Sequence, residues 1–209
     1  MTRSPSFGGV ILAAGESSRM GRDKALLPWP PLADGFLSSE TFLSAAIRSL
    51  ASATDFVVVV AGNNAASLSP VAYAVGASVV INPDPGRGQF SSLRLGLTEV
   101  LNRGRDAAMV TLVDRPPAKA ATVAAIREAF ETAPLDTWAV VPEFGGKHGH
   151  PYVAGREMIE QFLQAAETSN ARDVEHRAQG HIQYLPVNDP FVALNINTPE
   201  DYAALTRNL

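Results

Sequence analysis

Short apolar runs rich in β-branched residues punctuate the chain. They are Gly9-Val10-Ile11-Leu12-Ala13-Ala14, Phe56-Val57-Val58-Val59-Val60-Ala61, Ser78-Val79-Val80-Ile81, Ala108-Met109-Val110-Thr111-Leu112-Val113 and Trp138-Ala139-Val140-Val141. None alternates with polar residues, so each predicts a strand covered on both faces. Between and after them the period changes to that of a helix. Phe42, Leu43, Ala46, Ile47 and Leu50 share one helical face, as do Phe90, Leu93, Leu97 and Leu101. Val123, Ile126 and Phe130 form another such stripe, and Met158, Ile159, Phe162 and Leu163 a fourth. Thr198-Pro199-Glu200-Asp201 reads as the start of the last helix, with Thr198 as cap, Pro199 first and Asp201 closing a capping box. Strands alternating with helices predict an α/β fold: three αβα layers around a Rossmann-like, mostly parallel sheet. In such sheets ligands bind beyond the carboxyl ends of the strands, so the residues just after each strand are the ones to search.

Composition narrows the chemistry. The 209 residues suit a single domain spanning 1–209, and 46% apolar residues suffice for a large core. With 17 basic and 21 acidic side chains the net charge is −4, which argues against nucleic acid bound through a broad basic surface. Any phosphate must be held by a few placed cations and backbone amides. No cysteine is present, which excludes disulfides, thiolate metal sites and cysteine nucleophiles and suits a cytoplasmic, reducing setting. Met1 to Gly9 is short and polar, and no apolar run is long enough to span a membrane.

Behind the first strand lies Gly15-Glu16-Ser17-Ser18-Arg19-Met20-Gly21-Arg22-Asp23-Lys24. Bare amides in a tight turn with Arg19 and Lys24 within reach suit an anion, although an ordinary glycine turn has the same look. Neither the Walker spacing nor the dinucleotide fingerprint is present. Asp114 follows the fourth predicted strand, a place suited to a divalent cation and equally to a turn or helix-capping Asp.

The string Leu12-Ala13-Ala14-Gly15-Glu16-Ser17-Ser18-Arg19-Met20-Gly21, with Lys24 three residues on, resembles the opening signature of the MobA-like NTP transferases. The chain looks most similar to the molybdenum cofactor cytidylyltransferases of that family. The resemblance implies a nucleotide-diphospho-sugar transferase type of fold and an enzyme that transfers NMP, most readily CMP from CTP, to a phosphorylated acceptor with release of pyrophosphate. It implies that Leu12, Ala13, Ala14, Gly15, Ser17 and Lys24 bind the nucleotide, and that Lys24 and Arg19 stabilise the leaving pyrophosphate. Gly86 to Leu97 resembles the family's G-x-x-S-S-L-x-x-G-L segment and Asn82-Pro83-Asp84 its N-P-D, which implies that Asn82, Ser91 and Ser92 serve the base and ribose. Plain N-capping by either serine is the competing role.

Val113-Asp114-Arg115-Pro116 resembles the family's G-D-M-P, with Arg115 in place of Met. Asn195-Ile196-Asn197-Thr198-Pro199-Glu200-Asp201 is similar to its closing motif. Together they imply that Asp114 and Asn197 hold Mg²⁺, while an Asx turn is the local alternative for Asn197. Gly149-His150-Pro151 resembles an element at the acceptor side, and Asn170-Ala171-Arg172-Asp173 falls where a loop carries an acceptor-binding Arg. This assigns His150, Arg172 and Arg115 to the acceptor, with molybdopterin expected; for Arg172 a surface ion pair is the alternative. A two-His zinc site at His148 and His150 lacks a visible third ligand. Two other functions stay open: a sugar-1-phosphate or other alcohol-phosphate nucleotidyltransferase, and a non-catalytic nucleotide or cofactor carrier serving a molybdoenzyme or its chaperone.

Overall fold

The computed structural model describes residues 3–15, 20–21, 23–31 and 40–205. These form one eight-stranded sheet with helices on both faces. The strands are β1 (Phe7–Leu12), β2 (Phe56–Ala61), β3 (Ser78–Ile81), β4 (Ala107–Leu112), β5 (Ala139–Phe144), β6 (Lys147–His148), β7 (Tyr152–Gly155) and β8 (Ile182–Pro186). Their order is β3-β2-β1-β4-β7-β5-β6, with β8 paired to β5. β3, β2, β1 and β4 run parallel, and β8 is parallel to β5. β7 is antiparallel to both β4 and β5, and β6 is antiparallel to β5. The mostly parallel αβα expectation therefore holds, with an antiparallel insertion at β7.

The helices are α1 (Phe42–Ala51), α2 (Ala65–Ala74), α3 (Gln89–Asn102), α4 (Ala120–Thr132), α5 (Arg156–Gln164), α6 (Ala171–Arg177) and α7 (Pro199–Leu205). Leu43 and Ile47 of α1, Leu68 of α2 and Ile126 of α4 bury against Ile11, Val57, Val59 and Met109. On the opposite face Leu93 and Leu97 of α3 and Met158, Ile159 and Phe162 of α5 bury against Val10, Val58, Val60 and Val110. Alternate side chains of one strand thus feed two cores, which is why the strands read as unbroken apolar runs. Burying each large side chain contributes roughly 1.5–3 kcal/mol before the opposing chain entropy is counted.

A third, smaller cluster positions the site. Met20, Leu27, Phe42, Phe191, Ile196 and Leu205 bury together, with Trp29 and Tyr202 against them. Trp29 meets Phe42 and Phe191 edge-on at 5.0 and 5.7 Å, and the Tyr202 hydroxyl donates to the Pro28 carbonyl at 2.7 Å. This cluster draws the segment after β1 onto the segment before α7, although more than 170 residues separate them.

Several elements differ from expectation. β1 and β4 start and end slightly earlier than the apolar runs, so Ala13, Ala14 and Val113 already lie beyond their strands. α2 and the short strands β6, β7 and β8 carry weak local patterns; α2 contains Pro70. Asn170 to Asp173 is a helix start, not a loop: Asn170 caps α6, accepting from the Asp173 amide at 3.0 Å. The start of α7 is as expected, with Asp201 Oδ2 accepting from the Thr198 amide and the Asp201 amide donating to Thr198 Oγ1. Among the described residues, no helix is long and apolar enough to cross a membrane.

Candidate active site

Lys24 opens a short 3₁₀ turn, Lys24–Leu26, behind β1. Asp23 caps that turn by accepting from the Ala25 amide at 3.0 Å. Asn64, three residues past β2, holds the same corner. Its Nδ2 donates to the Ala13 carbonyl at 2.9 Å and to Asp23 Oδ2 at 2.6 Å, and its Oδ1 accepts from the Gly62 amide. Lys24 is 9% exposed, and its ammonium reaches two oxygens from distant segments. Nζ donates to Asn197 Oδ1 at 3.1 Å and lies 3.8 Å from Asp114 Oδ2. The Ile196 amide donates to the Asp114 carbonyl at 2.9 Å, which ties the post-β4 turn to the Asn197 segment.

Asp114 lies in the turn that follows β4, as one local alternative has it, but it does not cap α4, and Asn197 spends its side chain elsewhere. Lys119, not Asp114, occupies the cap position of α4. Asp114 Oδ1 is buried and has no hydrogen-bond partner among the described residues. Asn197 spends its side-chain oxygen on Lys24, while the turn before α7 is held by Asp201, which accepts from the Asn197 amide at 2.8 Å. An orphan carboxylate oxygen beside an amide oxygen is a hard-oxygen pair of the kind Mg²⁺ accepts, with phosphates and water completing its shell. Among the described residues no cluster of three or more His, Cys, Asp or Glu could hold a metal alone. The idea of a His148–His150 zinc site therefore finds no third ligand there.

Hollows of different size surround the end of β1. One of about 230 Å³ is lined by Leu12, Ala14, Gly15, Gly88, Gln89 and Ser92, among others. Another of about 240 Å³ shares Ala14 and Gly15 and reaches Asp23 and Asn64. A larger cavity of about 770 Å³ shares Leu12, Gly88 and Gln89 and carries Arg115, His150 and Arg172 in its walls. Gly88 stands at the shared rim with φ 88°, a left-handed conformation that glycine takes without strain, and α3 starts directly after it.

Of the expected nucleotide residues, Leu12, Ala14, Gly15 and Ser92 line the small hollow. Ala13 lies behind it, buried and bonded through its amide to the Val60 carbonyl. Ser91 and Ser92 are not caps. Asn82, 5% exposed, donates from Nδ2 to Ser91 Oγ at 2.8 Å and Ser92 Oγ at 2.9 Å, and its Oδ1 accepts from the Asp84 amide. Asn82 thus clamps the first turn of α3 to the end of β3; it lines a separate hollow together with Ser91. Ser17 and Arg19 lie outside the described residues.

On the other side the Val192 carbonyl is an anchor. It accepts from Arg115 Nη1 at 2.8 Å and from the His150 amide at 2.9 Å. Arg115 Nε and His150 Nδ1 are buried without a partner among the described residues. Burial, and then the Arg115 charge, push His150 from its ordinary 6.5 down to about 3, so its ring is neutral at pH 7. Burial also lowers the Arg115 pKa, and the neighbouring Asp114 opposes this. The Val192 segment is fixed by Asp189, fully buried, whose carboxylate accepts from the Lys119 amide, Thr122 Oγ1 and the Phe191 amide. Arg172 is exposed and lines the large cavity; it makes no ion pair within 4.0 Å among the described residues.

Asn64 and Asp189 were missed from the sequence. Asn64 had a usable signal, since it follows a strand's carboxyl end as Asp114 does. Asp189 had a local one, the Asp-Pro start of a 3₁₀ turn whose Phe191 amide it caps, but its bonds to the Lys119 amide and Thr122 cross about 70 residues and left no signal.

A lysine and two oxygen ligands thus converge beyond β1 and β4, where Gly15 lines a small cavity and Arg115, next to Asp114, lines a larger one, as phosphate transfer between two ligands requires. Residues 9–182 match the MobA-like NTP transferase domain. Purine catabolism protein PucB of Bacillus subtilis is 28% identical, covering 98% of each chain. Molybdenum cofactor cytidylyltransferase of Escherichia coli is 25% identical, covering 92% of each. The crystal structure of Rv0371c from Mycobacterium tuberculosis superposes with a TM-score of 0.79 at 26% identity, covering 98% of this chain and 100% of that one. A further crystal structure of Rv0371c is a manganese complex. The chain is a nucleotidyltransferase. It belongs to the MobA-like NTP transferase family.

Proposed function

We propose that this enzyme transfers CMP from CTP to the terminal phosphate of a molybdopterin-type acceptor. The observation that carries the reading is the convergence of Lys24, Asp114 and Asn197 beyond the carboxyl ends of β1 and β4. The cytidylyltransferase relative, matched over nearly its full length, supports CTP and this acceptor. A phosphate oxygen of the acceptor attacks the α-phosphorus of the nucleotide. The bond to the β-phosphate breaks, and its electron pair leaves with pyrophosphate.

The protein contributes placement and charge. The Gly15 turn and the Ser92 end of α3 hold the nucleotide, while Lys24 neutralises charge growing on the leaving group. Arg19, at the same turn in sequence, would assist. Arg115 neutralises the acceptor phosphate, Arg172 binds the acceptor from the opposite side of the same cavity, and neutral His150 offers Nδ1 as a hydrogen-bond partner. Asp114 and Asn197 would hold Mg²⁺, which would screen the negative charge shared by nucleotide and acceptor. The product would pass to a molybdoenzyme or its chaperone in the cytoplasm.

The test is pyrophosphate release with each NTP in Mg²⁺, with and without molybdopterin. Release only with CTP plus molybdopterin is expected. Turnover with another NTP, or with a sugar 1-phosphate in place of molybdopterin, would overturn the assignment.

A further inference from the structure

The large cavity carries three arginines, two histidines and one carboxylate. Arg87, Arg115, Arg172, His148 and His150 line it, and Glu175 is the one carboxylate among its lining residues. Glu175 sits on α6, half-buried, and among the described residues its carboxylate makes no hydrogen bond and no ion pair within 4.0 Å. A carboxylate in this place weakens the cavity's hold on phosphate, so it does not serve that end of a ligand.

Its position indicates what it does serve. Glu175, Arg172 and His148 are shared with a neighbouring hollow of about 530 Å³ that also takes in Tyr184. Arg115, next to Asp114, lines the large cavity but not that hollow. Glu175 therefore lies at the side turned toward the hollow, and Arg115 on the side of Asp114. The lining also includes apolar Leu12, Phe90, Val110 and Leu112, a surface for a flat ring. Burial raises the Glu175 pKa, opposed by Arg172, as expected of a carboxylate short of donors.

Building on the acceptor reading above, we propose that Glu175 sets acceptor specificity by accepting two adjacent N–H donors from the edge of a planar heterocycle. The 2-amino and N3–H groups of a pterin ring present that pair. A carboxylate takes such a pair with both oxygens, and a ring with a carbonyl in place of the amine faces it with oxygen against oxygen.

The test titrates the full chain with pterin and with lumazine, which carries a carbonyl where pterin has the 2-amino group. The wild-type protein is expected to bind pterin at least about tenfold more tightly, in line with the strength of charged hydrogen bonds. Glu175→Gln can donate to the lumazine carbonyl, so the ratio should fall toward one. If that variant is unfolded by circular dichroism, Glu175→Asp replaces it and should keep the preference for pterin with weaker binding. A wild-type protein without the preference, an unchanged ratio in Glu175→Gln, or loss of the preference in a folded Glu175→Asp would overturn the proposal. Pyrophosphate release by the wild-type enzyme is read separately, so absence of CMP transfer defeats the reaction assigned above and leaves the pterin-to-lumazine ratio readable.

Discussion

From β3 through β2 and β1 to β4 the strands run parallel and bear the hollows beside Gly15, whereas beyond β4 the antiparallel β7 and β6 flank β5, and Arg115, after β4, and His150, between β6 and β7, share the Val192 carbonyl. The two sides also treat their polar groups differently. On the nucleotide side Asn64 and Asn82 spend their amides on neighbouring protein atoms. On the acceptor side Arg115 Nε and His150 Nδ1 are buried unpaired, and so is Asp114 Oδ1 at the boundary. An unpaired buried polar atom costs about 1–3 kcal/mol, so such atoms persist where a ligand completes them. One side is a preformed cradle. The other is built to be finished by what it binds.

That contrast can be broken at graded cost. Asp114→Ala removes the carboxylate at the boundary and should lower kcat about a thousandfold, near 4 kcal/mol, with circular dichroism unchanged. Near-normal pyrophosphate release would remove Asp114 from the chemistry. Lys24→Ala should cost about a hundredfold in turnover, with a raised requirement for NTP. Unchanged kinetics would place Lys24 outside the site.

Gly149→Ala tests the anchor of the acceptor wall. A Cβ there would press into the Val192 carbonyl, the acceptor of both Arg115 and the His150 amide. Loss of about 1–3 kcal/mol in denaturant unfolding is expected. A neutral result would mean that the segment shifts freely.

Arg115→Met should raise the acceptor KM about tenfold, roughly 1.4 kcal/mol, and leave the NTP KM alone. A matching change in both would show that the two sides are not separable.

The last test concerns acid. His150 titrates near 6.5 when unfolded and near 3 when folded. Between those values the unfolded chain takes up a proton that the native chain refuses, so this group lowers stability as pH falls from about 6.5 toward 3. His150→Gln should therefore lose less of its urea midpoint between pH 7 and pH 4 than the wild-type protein. Equal losses would show that the folded imidazole titrates normally.

The same two sides differ in how far they can be read from the chain. β1, β2 and β4 are continuous apolar runs because both faces are covered, and that pattern is local. The Leu12–Gly15 stretch and Asp114 follow strand ends, where a parallel sheet exposes its ligand sites. β7 has four residues and β8 alternates weakly, so their strand character comes from the neighbours they pair with. Arg172 was visible as a cation, but its place on the first turn of a helix depended on the Asn170 cap. Glu175 carried no signal, and Asp189 only that of a cap, because the cavity wall of the one and the Lys119 and Thr122 partners of the other are distant in sequence.

The amino-acid sequence by itself determined the αβα class, the order of the parallel strands' elements and the capping box of α7. Each is a matter of hydrophobic period or of groups within four residues of one another. The tertiary structure alone decided that Lys24 meets Asn197 and Asp114, that Asn82 clamps two serines, and that one carbonyl holds both Arg115 and His150. Those contacts join residues 9 to 173 positions apart. They exist because burying the Trp29–Phe42–Phe191 cluster and the two sheet faces outweighs the entropy of closing such loops.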